Sequence, residues 1–542
     1  MKSIKYVMFP LLLLSLVSCT LPSINIGGSS FSSSDSSSSI SSGKEESSAV
    51  SSSSGGSSGS DGSSSSSSAE FPDYVTVYSI NDVHGSMPES QKKGELGVAK
   101  LSYAIKHDAD YNPETSLILS AGDSWQGGYL SYKEKPLTDQ LLSYLGVEAM
   151  AIGNHEFDWG VDQIKSLSES SPFPLLGCNI RDSSGNQADF CKPSAVIQKG
   201  AVKYGVIGAI GSGEESSIAS GMLGSYSFSG NIDLIKNEAK SLTDEGCDIV
   251  VVLLHDASDS SYTLSIANTL SLADNNISGI FGGHSHMFQS LNIGSNNMPY
   301  VQGGSNTRGY CKMKFSTHTG GLIKKAYVQS NSSDFAVSDD KLDQNILDTI
   351  QTKETQYQAD ETLGTLDYKM TKYDDDWTAC NFVATGMNEA VLHYGYKSTR
   401  PLLAIHNMAG IRDSLYPGNV TITDLFKVSP FDNKLKLFKD VRGSVVSNLI
   451  GTQTSDHSSK YYAFSTSDSL AFETSKYYDL VVIDFVYNSS YFPSSLQNAT
   501  QYDCGKDGSL LYIRDALKDY MSFGGRDGGN AFYKEDFACV AA

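Results

Sequence analysis

Five of the ten histidines in this chain stand on short polar turns that follow apolar runs, and these turns together bring further groups able to hold a metal. The turns are Asn81-Asp82-Val83-His84-Gly85, Ser120-Ala121-Gly122-Asp123, Gly153-Asn154-His155-Glu156-Phe157-Asp158, a lone His255, and Gly282-Gly283-His284-Ser285-His286. His, Asp and Asn together suit divalent ions of borderline hardness such as Mn, Zn, Co or Fe. Asp82 and His84 are two apart on one turn and can reach one ion, as can His284 and His286. These groups exceed what one ion needs. Two close ions need a bridge, for which Asp123, alone after its run, is the natural carboxylate. Two such ions lower the pKa of bound water and clamp phosphoryl oxygens. A departing alkoxide then needs a proton or a cation, and His155 suits that part. Asp158, three residues on, would orient its imidazole or cap a following helix.

The runs before these turns are Val75–Ile80, Leu117–Leu119, Ala149–Ile152, Ile249–Leu254 and Ile280–Phe281. They are of strand length and rich in β-branched residues. Helix-like segments, Leu96–His107 and Leu137–Leu145, lie between some of them. Strands alternating with helices predict a layered α/β structure, in which ligands gather beyond the carboxyl ends of the strands.

The five blocks, in this order, resemble the calcineurin-like metallophosphoesterases, and Glu156-Phe157-Asp158 after Asn154-His155 points to their 5′-nucleotidase branch. The resemblance implies a two-sheet α/β sandwich carrying two metal ions, followed by an α+β substrate-binding domain. It implies that Asp82, His84, Asp123 and His286 hold one ion, that Asp123, Asn154, His255 and His284 hold the other, and that His155 and Asp158 form the leaving-group pair. It also implies a substrate site from the block Asn407–Asp413 and the block Ser429–Asn433. There Arg412 would meet phosphate or ribose oxygens, Asn407 and Asn433 would make polar contacts, and Phe431 would stack on a base. Family members close a base clamp with a second aromatic after a Gly-Gly-Asp-Gly turn. Here those glycines are absent, and the second aromatic falls to Tyr491 or Phe492, with Phe492 favoured. Asp374-Asp375-Asp376-Trp377 stands where bacterial members place further arginines.

The chain has 542 residues, and its organisation is expected as follows. Residues 1–19 read as a lipoprotein signal peptide: Lys2 and Lys5, an apolar run Val7–Val17, then Leu16-Val17-Ser18-Cys19, a bacterial lipobox in which Cys19 takes the lipid. Residues 20–71 are dominated by Ser and form a disordered tether. A metallophosphoesterase domain occupies 72–335, a linking helix 336–362, and the substrate-binding domain 363–542. Apart from Cys19 there are seven cysteines, of which Cys178 and Cys191, flanking a polar loop, are the best disulfide candidates. The Gly524–Gly529 stretch reads as a loop.

Forty Lys and Arg stand against 61 Asp and Glu, for a net charge of −21. An acidic chain without basic clusters is a poor nucleic-acid binder. The expected function is a surface-anchored, two-metal phosphomonoesterase on the outer face of a bacterial membrane, hydrolysing extracellular nucleotides or related phosphate esters. A 2′,3′-cyclic-nucleotide phosphodiesterase with 3′-nucleotidase activity shares the same metal set. A non-enzymatic lipoprotein that binds a solute or a host partner fits the tether but leaves the metal ligands without a purpose. Nucleotides are anions, so the site must reverse the sign of the charge locally, a task for two dications and Arg412.

Overall fold

Val77 and Tyr78 are neighbours in sequence and lie in different cores. The computed structural model describes residues 71–219, 221–373, 377–447, 449, 473–489, 492–525 and 528–533, and the backbone course of 461–465. The expected leader with Cys19, the tether before residue 71, and Tyr491 lie outside the described residues.

The first region contains β1 (Tyr74–Ile80), β2 (Leu117–Ser120), β3 (Val147–Ala151), β4 (Leu175–Leu176), β5 (Ile180–Arg181), β6 (Ser194–Lys199) and β7 (Val202–Ile210). It continues with β8 (Ser227–Phe228), β9 (Ile249–His255), β10 (Gly279–Gly282), β11 (Phe288–Ile293), β12 (Met298–Gly303), β13 (Gly309–Ser316) and β14 (Leu322–Gln329). They build two six-stranded sheets, ordered β14-β13-β1-β2-β3-β4 and β11-β12-β10-β9-β7-β6. In the first sheet β1 to β4 run parallel, and in the second β7, β9, β10 and β12 do.

Successive side chains on a strand point to opposite faces, which explains the uniformly apolar runs. Val77, Leu119, Val251 and Leu253 fill the core between the sheets. Tyr78, Ile80 and Ile118 face outward under the helices Gly97–Lys106 and Leu137–Leu145. Val250, Val252 and Leu254 face outward under the helices Asp233–Asp244 and Ser261–Thr269. Strands buried on both faces must be apolar on both, and each fully buried Val, Leu or Ile contributes about 1.5–3 kcal/mol. The result is the layered α/β structure that the alternation predicts, in the two-sheet form that the resemblance implies.

A helix Gln344–Tyr357 follows, burying Ile346 and Ile350. Beyond it come β15 (Thr362–Leu366), β16 (Leu402–Asn407), β17 (Gly418–Thr421), β18 (Leu435–Arg442), β19 (Tyr461–Ser465), β20 (Tyr477–Ile483), β21 (Tyr502–Asp503) and β22 (Ala531–Phe532). They form a five-stranded mixed sheet, β19-β16-β20-β18-β21, and a three-stranded one, β17-β15-β22. The helices Thr378–His393 and Ile513–Phe523 share a separate core with them.

Two expectations are corrected here. Cys178 and Cys191 are free thiols. Cys178 is buried in the core under the Asp233–Asp244 helix, whereas Cys191 packs on the opposite core, so the loop between them turns the two sulfurs to different sides. Phe492 is 3% exposed and packs against Phe438 and Tyr487 at ring distances of 5.7 and 5.4 Å. It is a core residue of the second region and offers no face to a base. Among the described residues, no helix is long and apolar enough to cross a membrane.

Candidate metal centre and adjoining cleft

The carboxyl ends of β1, β2, β3, β9 and β10 converge, and the turns that leave them carry the site. The backbone cross-links the turns directly: Asp82 N–H donates to Gly122 O at 2.9 Å, and His84 N–H to Asp123 O at 3.0 Å. Glu156, 1% exposed, accepts N–H bonds from Asp123 at 2.8 Å, Ser124 at 2.7 Å and Gly153 at 2.8 Å, tying the β2 turn to the β3 turn. Burial, reinforced by the Asp123 charge, pushes the Glu156 carboxyl up to about 7. Gly153 has no Cβ because one there would sit 2.3 Å from Asp123 Oδ1.

Asp82, His84, Asp123, His284 and His286 all adopt positive φ, between 48° and 70°. Non-glycine residues rarely do so, and clusters of such residues mark functional sites. The conformation aims each side chain back over the strand ends rather than along the turn.

Six of the seven predicted ligands meet in two groups, and the seventh, Asn154, adjoins the second. Asp82, His84 and His286 form one, and Asp123, His255 and His284 the other, with the donor atoms of each group within 4.8 Å of one another. His84 Nε2 lies 3.0 Å from His286 Nε2, and His286 Nε2 lies 3.4 Å from Asp82 Oδ1. His255 Nε2 is 3.1 Å from Asp123 Oδ2 and 3.2 Å from Asn154 Oδ1, and His284 Nδ1 is 3.0 Å from that same Asn154 oxygen. The far ring nitrogens are held as well: His84 Nδ1 by Gln126 O at 2.9 Å and His255 Nδ1 by Ala121 O at 2.8 Å. Those carbonyls fix the tautomer that leaves Nε2 free to coordinate.

The electrostatics suit cations. Burial works against the Asp123 carboxylate, but His255 and His155 outweigh it and hold it well below the usual range. Burial lowers His255, yet the Asp123 charge carries it up to about 10. Burial and His286 depress His84 well below its ordinary value, so its Nε2 keeps a lone pair. The proton that Asp123 holds on His255 is one that a divalent ion would displace, while His84 already offers a free nitrogen beside the Asp82 carboxylate.

His155 Nδ1 is 2.6 Å from Asp158 Oδ2, and the Asp158 charge raises the imidazole against the opposing effect of burial. Its ring stacks on Phe431 at 5.8 Å and 27°. His84, His155 and His286 open into a cleft of about 400 Å³ whose other walls include Arg308, Lys369, Lys372, Arg412, Lys427 and Phe431. Arg412 lies 5.9 Å over the Phe431 ring. Of the expected substrate contacts, Arg412 and Phe431 line this cleft. Asn407 is 8% exposed at the end of β16, and Asn433 accepts the Ile513 N–H with its carbonyl; neither is among the lining residues.

Lys369, Lys372, Arg308 and Lys427 were not singled out by the sequence reading. Lys372 Nζ donates to Ile411 O at 2.7 Å and Met408 O at 3.3 Å. Burial, reinforced by Arg412, lowers it to about 8. Among the described residues, Lys369, Lys372 and Arg412 form no carboxylate pair. Lys93 and Lys427, by contrast, are committed to Asp413 and Asp424 and to Glu95 respectively.

Comparison with known proteins follows the same division of the chain. The calcineurin-like phosphoesterase model matches residues 75–288, and the 5′-nucleotidase C-terminal domain model matches residues 357–491. An apyrase of Tabanus yao is 26% identical over 405 residues, covering 68% of this chain and 71% of its own. A 5′-nucleotidase of Vibrio cholerae is 24% identical over 432 residues, covering 70% and 76%. The crystal structure of a 5′-nucleotidase precursor from Thermus thermophilus superposes with a TM-score of 0.65 at 18% identity, covering 85% of this chain and 99% of that one. A sulfate thiohydrolase, SoxB, of Thermus thermophilus reaches 0.63 at 14% identity over 86% and 97%. Those two likenesses speak to the fold.

Proposed function

The chain belongs to the calcineurin-like phosphoesterase family and carries a 5′-nucleotidase C-terminal domain, and on that premise we propose that it is a two-metal phosphomonoesterase releasing phosphate from nucleotides. It is a metal-dependent phosphoester hydrolase of 5′-nucleotidase type. The observation that carries the finer reading is the pair of ligand groups, one of which opens through His84 and His286 into a cationic cleft.

Asp82, His84 and His286 would hold one ion, Asn154, His255 and His284 the other, with Asp123 shared between them. When bound, the ions supply an activated water and charge neutralisation at the phosphoryl group. The residues of the chain do the rest. Arg412, Lys372 and Lys369 draw the anionic substrate into the cleft. His155, oriented by Asp158, meets the leaving oxygen and gives it a proton. Phe431 lies beside that imidazole and offers its other face to the leaving nucleoside.

The test is phosphate release from AMP with added Mn or Zn, and its loss in Asp123→Ala and His155→Ala. Failure on AMP, ADP, ATP and UDP-sugars alike would overturn the nucleotidase reading, and turnover of 2′,3′-cyclic AMP in their place would reassign the substrate. We further propose that Cys19 carries a lipid that anchors the enzyme at the outer face of a bacterial membrane, on the strength of Leu16-Val17-Ser18-Cys19 after an apolar run. Incorporation of labelled palmitate, abolished by Cys19→Ala, checks it.

A further inference from the structure

Each imidazole ligand with a fixed ring has something holding its far nitrogen. For His84 and His255 the holders are the backbone carbonyls of Gln126 and Ala121. For His284 the holder is a side chain that neither the motifs nor the family blocks single out. His284 Nε2 lies 3.2 Å from Glu214 Oε2, while its Nδ1 faces Asn154 and the Asp123/His255 group.

Glu214 is placed by local structure. It opens the 3-10 turn Glu214–Ser217, just past β7. Gly211, between the two, donates its N–H to His255 O at 3.0 Å, so the loop is fastened to the strand that carries another ligand of the same group. A Cβ on Gly211 would sit 3.0 Å from Glu214 Cγ and 2.8 Å from Asp256 Cγ, so this position leaves room for the carboxylate arm only as glycine. Ser217 Oγ donates to Glu214 Oε2 at 2.8 Å and steadies the acceptor. The Glu214 side chain is 14% exposed and that of His284 27%, against 0% for His255 and 8% for His84. His284 is therefore less constrained by packing than those two and depends more on the Glu214 carboxylate beside its far nitrogen.

We propose that Glu214 is a positioning residue for His284, holding the ring so that Nδ1 faces the Asp123/Asn154/His255 group and the ion there is retained. A carboxylate on the far nitrogen fixes the tautomer and makes the coordinating nitrogen a stronger donor than a carbonyl does. The role rests on the two-ion reading above. Glu214 touches no substrate and transfers no proton.

The experiment compares wild type, Glu214→Gln and Glu214→Ala as full-length proteins. Each is stripped with a chelator, titrated with Mn or Zn by calorimetry, and measured for metal content by elemental analysis after dialysis. The expected result is that Glu214→Ala loses about 10–100-fold in affinity for one ion, the usual cost of removing such a partner, with the other ion unchanged. Glu214→Gln should fall between, since an amide oxygen still accepts but carries no charge. The melting temperature of the stripped proteins should be equal, which separates a positioning role from a folding defect. Two ions bound with unchanged affinity in Glu214→Ala overturn the role of Glu214 and leave the two-ion reading standing. Wild type that binds no ion at this group overturns both.

Discussion

His84 Nε2 and His286 Nε2 face each other at 3.0 Å although 202 residues separate them in the chain. Two imidazole nitrogens and an Asp82 oxygen aimed at one point make a place for a positive charge between them. His286→Ala is expected to release the ion of this group and to lower kcat/KM by at least about 100-fold, more than the loss of a partner that merely orients a ligand. Metal content and turnover measured on the same sample check it. Chelator treatment of wild type should abolish turnover, and Mn or Zn should restore it.

The His155–Asp158 contact separates orientation from binding. His155→Ala removes the proton donor and should lower kcat by about 10²–10⁴-fold. Asp158→Asn keeps a hydrogen bond but loses the charge, so a smaller fall is expected, with KM little changed in either variant. Steady-state kinetics on AMP reads the split. An equal rise in KM would instead assign the pair to substrate binding.

Lys372, lowered to about 8 by burial and Arg412, predicts a pH-dependent affinity. Below that value it is an ammonium facing the cleft, and above it a neutral amine. KM for an anionic substrate should therefore climb as pH rises through about 8. Lys372→Arg, which stays charged, should hold KM flat to higher pH. The ratio of the two profiles isolates this group from other titrations.

Asp139 takes no part in this chemistry. It is 2% exposed, Oδ1 accepts the Trp125 indole N–H at 2.7 Å, and burial raises its carboxyl to about 6. The folded pKa is above the unfolded one, so the folded state binds more protons between the two. Stability is thus present at low pH and lost as pH rises through about 6. Asp139→Asn keeps the acceptor without the charge and should stabilise the protein by about 1–3 kcal/mol at pH 7.5, with little effect at pH 4.5. Thermal melts at the two pH values decide it.

Four of the five strand-end turns were legible because three signals coincide in them, an apolar run, a glycine and a ligand-type side chain; the His255 turn has the first and the last. Val77, Leu119 and Val251 mark buried strands by composition alone, and the layered α/β class follows from them. Other features leave no local trace. Positive φ at His84 or Asp123 has no signature in a residue type that seldom adopts it. Lys372 sits beside three aspartates in sequence, and only the fold turns it toward Arg412. Phe492 illustrates the opposite failure: an aromatic at the expected place in the order of blocks was taken by the core, because Phe438 and Tyr487 offer it a dry partner. Glu214 follows a strand that carries no motif, and its partner His284 is 70 residues away.

The cleft of Arg412, Lys372 and Lys369 belongs to a chain of net charge −21, and the two act over different distances. Repulsion from the body is summed over the whole surface and reaches outward, so ions in solution screen it beyond about 8 Å at physiological ionic strength. Attraction inside the cleft operates at contact and is screened much less. Moderate salt should therefore speed capture of a nucleotide rather than slow it, the reverse of what a basic binding protein shows. Salt becomes a setting for this enzyme: in dilute medium its own charge holds the substrate off, and at the ionic strength of a body fluid the cleft is left to act alone.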